Sequence, residues 1–396
     1  MVKGVFSEDY RTCIASFFAA CALAIYVVAQ ILFRFGTVGL SAKNYTAVDL
    51  NVLAEQLVMT CSILSIILRC NCMEKKTFLI CAISLCVLFL SSVRTDMNYL
   101  SCGFVLLLSF AGEDFDRLCN VYLLSSLASI AMVILLSSLG QLYSYDAIPN
   151  GRLVFSYGFN HPNTAGALIF NMLCAMTFVL WNRRAWPIAC FMAVAGCFFS
   201  YWFLSARADA ILDTLLALSC LIGHLRLFRF RIRLSKRLYR LVLLCVPLTL
   251  LTVMLFASSF YDGTNSLILF LDKITNIRPL HAHNFFVRNG GFSILGRPYI
   301  RASYYHTGLP FQNVDSGYCF LPLVYGIGSM IVLMLSYAVS VINVPESKCN
   351  FALLTIVLLS AFLMVVEPFG LNLASCFPML FLSYAVGGKV MRDDVI

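Results

Sequence analysis

Apolar runs, each about as long as one bilayer crossing, recur along the whole chain and restrict what it can fold into. Apolar side chains make up 61% of its 396 residues and charged ones only 12%, with a mean hydropathy of +0.87. One soluble core cannot hide that much apolar surface. A spanning helix needs about 20 mainly apolar residues, and about 17 suffice. The sequence therefore predicts an all-α, polytopic integral membrane protein.

Twelve segments are predicted to cross the bilayer, which places both termini on one side. They are 13–33, 49–68, 77–93, 98–112, 118–139, 163–182, 186–204, 208–224, 241–258, 317–340, 351–366 and 371–388. The polar lead-in Met1 to Arg11 has no cleavage site of small residues, so the first segment is interpreted as a retained helix. Residues 1–396 are expected to form a single membrane domain. It has one large extracytoplasmic loop at 259–316 and a basic cytoplasmic segment at 225–240.

Lysine and arginine give the orientation, because they accumulate in cytoplasmic loops. A cytoplasmic N-terminus places most basic residues inside, and Arg34 is among the exceptions. After position 150, however, several arginines fall outside: Arg152, Arg207, Arg278, Arg288, Arg297 and Arg301. They oppose the topological bias, which indicates a function on the outer side.

The basic run Arg226 to Arg240 has its charges on one helical face, which is typical of an interfacial helix on the anionic inner leaflet. Nucleic-acid binding is the alternative. A helix hanging directly from a spanning segment favours lipid, so membrane lipids are the expected partner and nucleic acid is not. The seventeen cysteines lie nearly all within predicted helices, so neither a disulfide nor a metal site is expected.

A polar and aromatic run, Arg152 to Thr164, lies between two apolar segments where a helix should begin. Pro162 suits the first helical position, and Asn160, Asn163 or Thr164 can satisfy the exposed N–H groups. His161 is then held at the outer membrane surface.

The outer side combines several arginines with a few histidines and single carboxylates. It includes the turn at Arg207 and the long loop, in which apolar Leu267 to Leu271 predicts a helix at the interface. Arginine offers permanent charge and paired hydrogen bonds to phosphate oxygens. The pattern favours a phosphorylated substrate at the outer leaflet, and a lipid-linked sugar diphosphate fits.

Five motifs resemble, in order and spacing, the O-antigen and capsular polysaccharide polymerase family over roughly positions 118–390. They are Arg152 with Tyr157-Gly-Phe-Asn-His-Pro-Asn163; Arg207; Ile274-Thr-Asn-Ile-Arg278 with Asn289-Gly-Gly-Phe-Ser-Ile-Leu-Gly296; Val314-Asp-Ser-Gly-Tyr318 with Tyr325-Gly326; and Glu367. The family usually has a further glycine where Asn160 stands. It usually has serine before the second arginine, where this chain has Ala206, and Ser-Gly before the third, where Ile277 precedes Arg278.

The resemblance implies a GT-C-like glycosyltransferase of the bacterial cytoplasmic membrane. Such an enzyme transfers a growing glycan from undecaprenyl diphosphate to an incoming lipid-linked repeat unit, without metal or cofactor. Flippase and chain-length regulator are possible partners. Arg152, Arg207 and Arg278 are expected to neutralise diphosphates, and Asn163, Arg297, Tyr318 and Glu367 to line the substrate site. Two alternatives stay open: an O-antigen ligase-like transferase and a lipid-linked oligosaccharide flippase.

His161 and Asp315 are the candidates for the base that accepts the proton of the acceptor hydroxyl. Each has a structural alternative, because His161 can cap the helix before Pro162 and Asp315 can cap the tenth segment. His281 and His283 are interpreted as hydrated loop residues, and Arg297 and Arg301 also fit ordinary solvated charges.

Overall fold

In a computed structural model of the protein, the fold is almost entirely helical. The structure describes residues 8–37, 46–69, 75–142, 144, 146–147, 154–183, 185–224, 235–299, 314–345 and 350–386. Within these described residues, six helices are long and apolar enough to cross a membrane: Tyr10–Phe35, Leu50–Arg69, Lys76–Thr95, Phe115–Ser138, Pro162–Trp181 and Lys236–Ser259. The predicted class, an all-α protein embedded in a membrane, is confirmed.

The helices follow the predicted apolar segments closely over the first two thirds of the chain. Their bounds are α1 Glu8–Ala29, α2 Thr46–Arg69, α3 Lys75–Thr95, α4 Tyr99–Ser109, α5 Phe115–Ser138, α6 Pro162–Asn182, α7 Trp186–Trp202, α8 Arg207–His224, α9 Lys236–Ser259, α10 Ser266–Ile274, α11 Arg278–Arg288, α12 Gly317–Phe320, α13 Ile327–Asn343 and α14 Phe351–Val366. A π-helical segment, Gln30–Phe35, extends α1. Two short strands, β1 Asp146–Ala147 and β2 Val154–Phe155, pair antiparallel between α5 and α6.

The tenth and twelfth predicted spans are not single α-helices. The tenth consists of α12, a π-helical segment Leu321–Tyr325 and α13, with a break at Gly326, whose φ is +92°. The twelfth forms 3-10 turns at Pro368–Leu371, Leu373–Ser375 and Phe377–Ala385. Proline removes a backbone donor and glycine permits positive φ, so both segments depart from a continuous helix.

The long loop 259–316 contains the two amphipathic helices α10 and α11, and α10 contains the apolar stretch in which a helix was predicted. Residues 300–313, including Arg301, lie outside the described part. Most of the basic segment 225–240 also lies outside it, and from Lys236 the chain already forms the first turn of α9.

Helix α6 lies at the centre of the bundle, since 83% of its apolar window is buried. It packs against α5, α7, α8 and α14. Its first residues are those of the polar run that contains His161, so this run lies at one end of the most buried helix.

Candidate functional site

His161 caps α6. Its backbone is extended, with φ −158°, Pro162 follows in the first turn, and the Asn163 N–H donates to His161 Nδ1 at 3.1 Å. The helix starts where the sequence predicted it, and its cap is His161, the structural alternative predicted for this residue, and not Asn160, Asn163 or Thr164. Because Nδ1 accepts this hydrogen bond, the neutral ring carries its proton on Nε2.

The residues before His161 are fastened to the end of α1. Asn160 N–H donates to the Phe35 carbonyl at 2.8 Å, and its side-chain amide donates to the Arg34 carbonyl at 3.2 Å. Thr37 donates to the Gly158 carbonyl through both its N–H and its hydroxyl. These hydrogen bonds therefore hold the end of the polar run against the end of α1, which is distant in sequence.

Arg278 begins α11 after a strained turn. Asn276 and Ile277 have φ of +55° and +61°, a conformation that is unusual for asparagine and a clear outlier for a β-branched residue. Such strain clusters at functional sites. Asp272 holds the turn, since its carbonyl accepts from Ile277 N–H and its carboxylate accepts from Leu280 N–H.

The Arg278 guanidinium faces two carboxylates. Its terminal nitrogens lie 3.6 Å from Asp315 Oδ2 and 3.8 Å from Glu367 Oε1, and its Nε donates to the Val366 carbonyl at 3.0 Å. His281 Nδ1 lies 3.8 Å from Asp315 Oδ2. The arginine thus organises two acids that are distant in sequence.

Glu367 follows the last helical residue of α14 and is 6% exposed. Besides facing Arg278, its Oε1 accepts a hydrogen bond from Asn163 Nδ2 at 3.1 Å. The starts of α6 and α11 and the end of α14 therefore meet at one point.

These groups line an open cavity of about 530 Å³ at one end of the bundle. The residues lining it are Arg34, Phe35, Met97, Tyr99, Asn160, His161, Asn163, Thr164, Asn276, Arg278, Tyr299, Val314, Asp315, Phe320, Glu367, Pro368 and Asn372. Aromatic rings form part of the wall: Tyr99 packs edge-on to Tyr325 at 5.4 Å, and Tyr299 to Phe320 at 5.1 Å. Charged groups beside aromatic surface are what a site for a polar organic ligand requires.

Five of the nine predicted site residues share this cavity: His161, Asn163, Arg278, Asp315 and Glu367. Arg152 lies outside the described residues. Arg207 is exposed at the start of α8, at the same end of the bundle, since Asp209, two residues later, approaches Gly166 near the start of α6.

The other two predicted residues belong to neighbouring structure. Tyr318 is buried and lines a separate apolar cavity of about 90 Å³. The backbone N–H of Arg297 donates to the Val324 carbonyl at 2.9 Å, and its guanidinium donates to the Phe292 carbonyl at 3.4 Å.

Sequence reasoning missed Arg34, Tyr99 and Asn372, which also line the cavity. Asn372 donates to Gln30 at 2.9 Å and accepts from Tyr26 at 3.2 Å. Gln30 in turn donates to Glu55. Because Glu55 lies within an apolar run, a hydrogen bond to a neighbouring helix is what its position indicates. A polar residue in an apolar span was the only signal available.

Comparison of the chain with family models, with curated proteins and with solved structures finds no match. Within the described ranges, no three histidine, cysteine, aspartate or glutamate side chains gather into a metal site.

Proposed function

We propose that this protein is a membrane glycosyltransferase of the O-antigen and capsular polysaccharide polymerase type. It would transfer a growing glycan from undecaprenyl diphosphate to an incoming lipid-linked repeat unit at the outer face of a bacterial cytoplasmic membrane. One observation carries the proposal: His161, Asn163, Arg278, Asp315 and Glu367, taken from motifs scattered over about half the chain, line one cavity.

The proposed reaction joins two substrates in that cavity. The acceptor hydroxyl oxygen attacks the anomeric carbon of the donor sugar and forms the new glycosidic bond. The bond between that carbon and the diphosphate breaks, and undecaprenyl diphosphate leaves with the electron pair. The hydroxyl proton passes to a base, and groups that stabilise the developing negative charge lower the barrier.

Asp315 is the better candidate for the base. His161 Nδ1 is engaged by the Asn163 N–H, so the neutral ring presents a donor, Nε2–H, and not a free acceptor. The Asp315 carboxylate lines the cavity and is held by Arg278 and His281. His161 then serves as a hydrogen-bond donor to a substrate oxygen.

Arg278 orients the two carboxylates. Its charge is opposed by both Asp315 and Glu367, so little of it remains to attract a diphosphate. The aromatic side chains Tyr99, Tyr299 and Phe320 offer the apolar faces on which sugar rings pack. Flippase and chain-length regulator are the partners that such a reaction would require before and after it.

The test is the length of surface glycan in a deletion strain of the host, complemented with variants. Single repeat units in the deletion strain, with full polymer restored by the wild-type gene, support a polymerase. Asp315→Asn is expected to lose at least about 10²-fold in polymer formation, whereas Asp262→Asn in the exposed turn before α10 restores it fully. Loss of all surface units indicates a flippase instead, and lipid-linked polymer that never reaches its acceptor indicates a ligase. Either result overturns the proposal.

A further inference from the structure

Arg34 occupies a fixed position on the cavity wall that no sequence motif marks. It lies in the π-helical segment that ends α1, and its carbonyl accepts from the Asn160 side chain. The neighbouring Phe35 and Thr37 are bonded to the polar run before α6. The Arg34 backbone is therefore held beside His161.

The Arg34 side chain is oriented by an aromatic ring. Its guanidinium carbon lies 4.1 Å from the centroid of the Tyr99 ring, and Tyr99 is itself buried and packed edge-on against Tyr325. Stacking uses the face of the guanidinium and leaves the N–H donors around its edge available.

Arg34 and Arg278 differ in how carboxylates balance their charge. Arg278 faces two carboxylates and donates to the Val366 carbonyl. Among the residues that the structure describes, no carboxylate pairs with Arg34 and no oxygen accepts from its guanidinium. Of the described residues that line the cavity, two are arginines and two are carboxylates, and both carboxylates face Arg278. Within this described lining, Arg34 is thus the cation available to attract an anionic ligand.

We propose that Arg34, stacked on Tyr99, forms the diphosphate-binding subsite of this cavity and contacts the diphosphate of the lipid-linked substrate. The assignment rests on the proposed function, which supplies a diphosphate as the anion. In this assignment Arg34, at the end of the first helix, makes the phosphate contact in place of Arg278. Paired, charge-assisted hydrogen bonds from a planar guanidinium suit phosphate oxygens.

The experiment measures binding of three probes to the full-length protein in phosphatidylcholine nanodiscs: geranylgeranyl diphosphate, geranylgeranyl monophosphate and geranylgeraniol. The variants are Arg34→Gln, Arg34→Lys and, as the matched control, Arg94→Gln. Arg94 is an exposed arginine in the last turn of α3, five residues before Tyr99. Thermal unfolding of each variant reports whether it is folded.

The wild type and Arg94→Gln are expected to prefer the diphosphate to the alcohol. Arg34→Gln should weaken diphosphate binding about tenfold or more and leave alcohol binding unchanged, and Arg34→Lys should fall between. If the wild type prefers the diphosphate and Arg34→Gln keeps that preference within twofold, the Arg34 assignment is wrong and the proposed function stands. If the wild type does not prefer the diphosphate, both fail. Should Arg34→Gln unfold, an unchanged preference in Arg34→Lys would also count against the assignment, because lysine cannot reproduce the planar contact.

Discussion

Asn163 donates a side-chain hydrogen bond to Glu367 at 3.1 Å, although 204 residues of chain separate the two. The bond joins the first turn of α6 to the end of α14. Glu367 is nearly buried and also faces Arg278. The geometry of the cavity therefore depends on a contact between the central helix and a segment close to the end of the described chain.

A double-mutant cycle on this pair should reveal strong coupling. Asn163→Asp places two carboxylates together and Glu367→Gln removes one carboxylate from Arg278, so each single change should destabilise the protein. In the double variant the glutamine amide donates to the new aspartate, so the hydrogen bond is restored with its direction reversed. We expect a coupling free energy of about 0.5–3 kcal/mol from thermal unfolding. Simple additivity of the two single effects would show that the contact carries no energy.

His161 has two roles that substitution can separate. Asparagine also caps helices well, so His161→Asn should keep the stability, whereas His161→Ala should lose about 1 kcal/mol of the free energy of unfolding. Both variants lack the Nε2–H donor, and both should lose polymer formation by a similar factor. The measurements are thermal unfolding and glycan length. Normal glycan length in His161→Asn would show that His161 acts only as the cap of α6.

Sequence reasoning predicted those residues of the cavity lining that lie in motifs and missed those that packing brings there. His161, Arg278 and Glu367 belong to recognisable motifs, and their meeting in one cavity follows from helix ends that lie on one side of the bundle. Arg34 carries no motif. Its proposed role rests on the contact with the Tyr99 ring and on the absence of a carboxylate partner among the described residues, which no linear pattern records.

The apolar pattern predicted helices well where the runs were uninterrupted, as in α1, α5 and α6. It did not predict the break at Gly326 or the 3-10 turns after Glu367, because hydropathy measures burial and not backbone conformation. The glycines and prolines in these segments were the available signal. Their effect depends on neighbours such as Gly296, which are distant in sequence.

Gly326 should tolerate no side chain. Its φ is +92°, and a Cβ there would lie 2.3 Å from the Gly296 nitrogen and 2.5 Å from the Ile294 carbonyl oxygen. Gly326→Ala combines backbone strain with a clash against backbone, so we expect a loss of about 3 kcal/mol or more in the free energy of unfolding. Gly290 is the control, with φ +66° and open space around it. Gly290→Ala should cost only about 1–2 kcal/mol, the strain alone. Equal losses in thermal unfolding would show that the clash is relieved.

The buried ion pair between Arg69 and Glu113 offers a change in stability that should leave the site intact. Arg69 also donates to Ser16 Oγ at 2.9 Å, and both charged residues are less than 10% exposed. Ser16 and Arg34 are eighteen residues apart on one helical rod, which at about 1.5 Å per residue separates the ion pair from the cavity by roughly 27 Å.

Removing one partner leaves the other charge buried and unpaired, so Glu113→Gln should lower the free energy of unfolding by about 3–5 kcal/mol. The control is Arg117→Met, which alters an exposed arginine in α5, four residues after Glu113. It should change the free energy of unfolding by no more than about 0.5 kcal/mol. Thermal unfolding measures the loss, and polymer formed per folded molecule measures the site. A fall in that specific activity in Glu113→Gln, at a temperature where the protein is folded, would show that the two ends of the bundle are coupled.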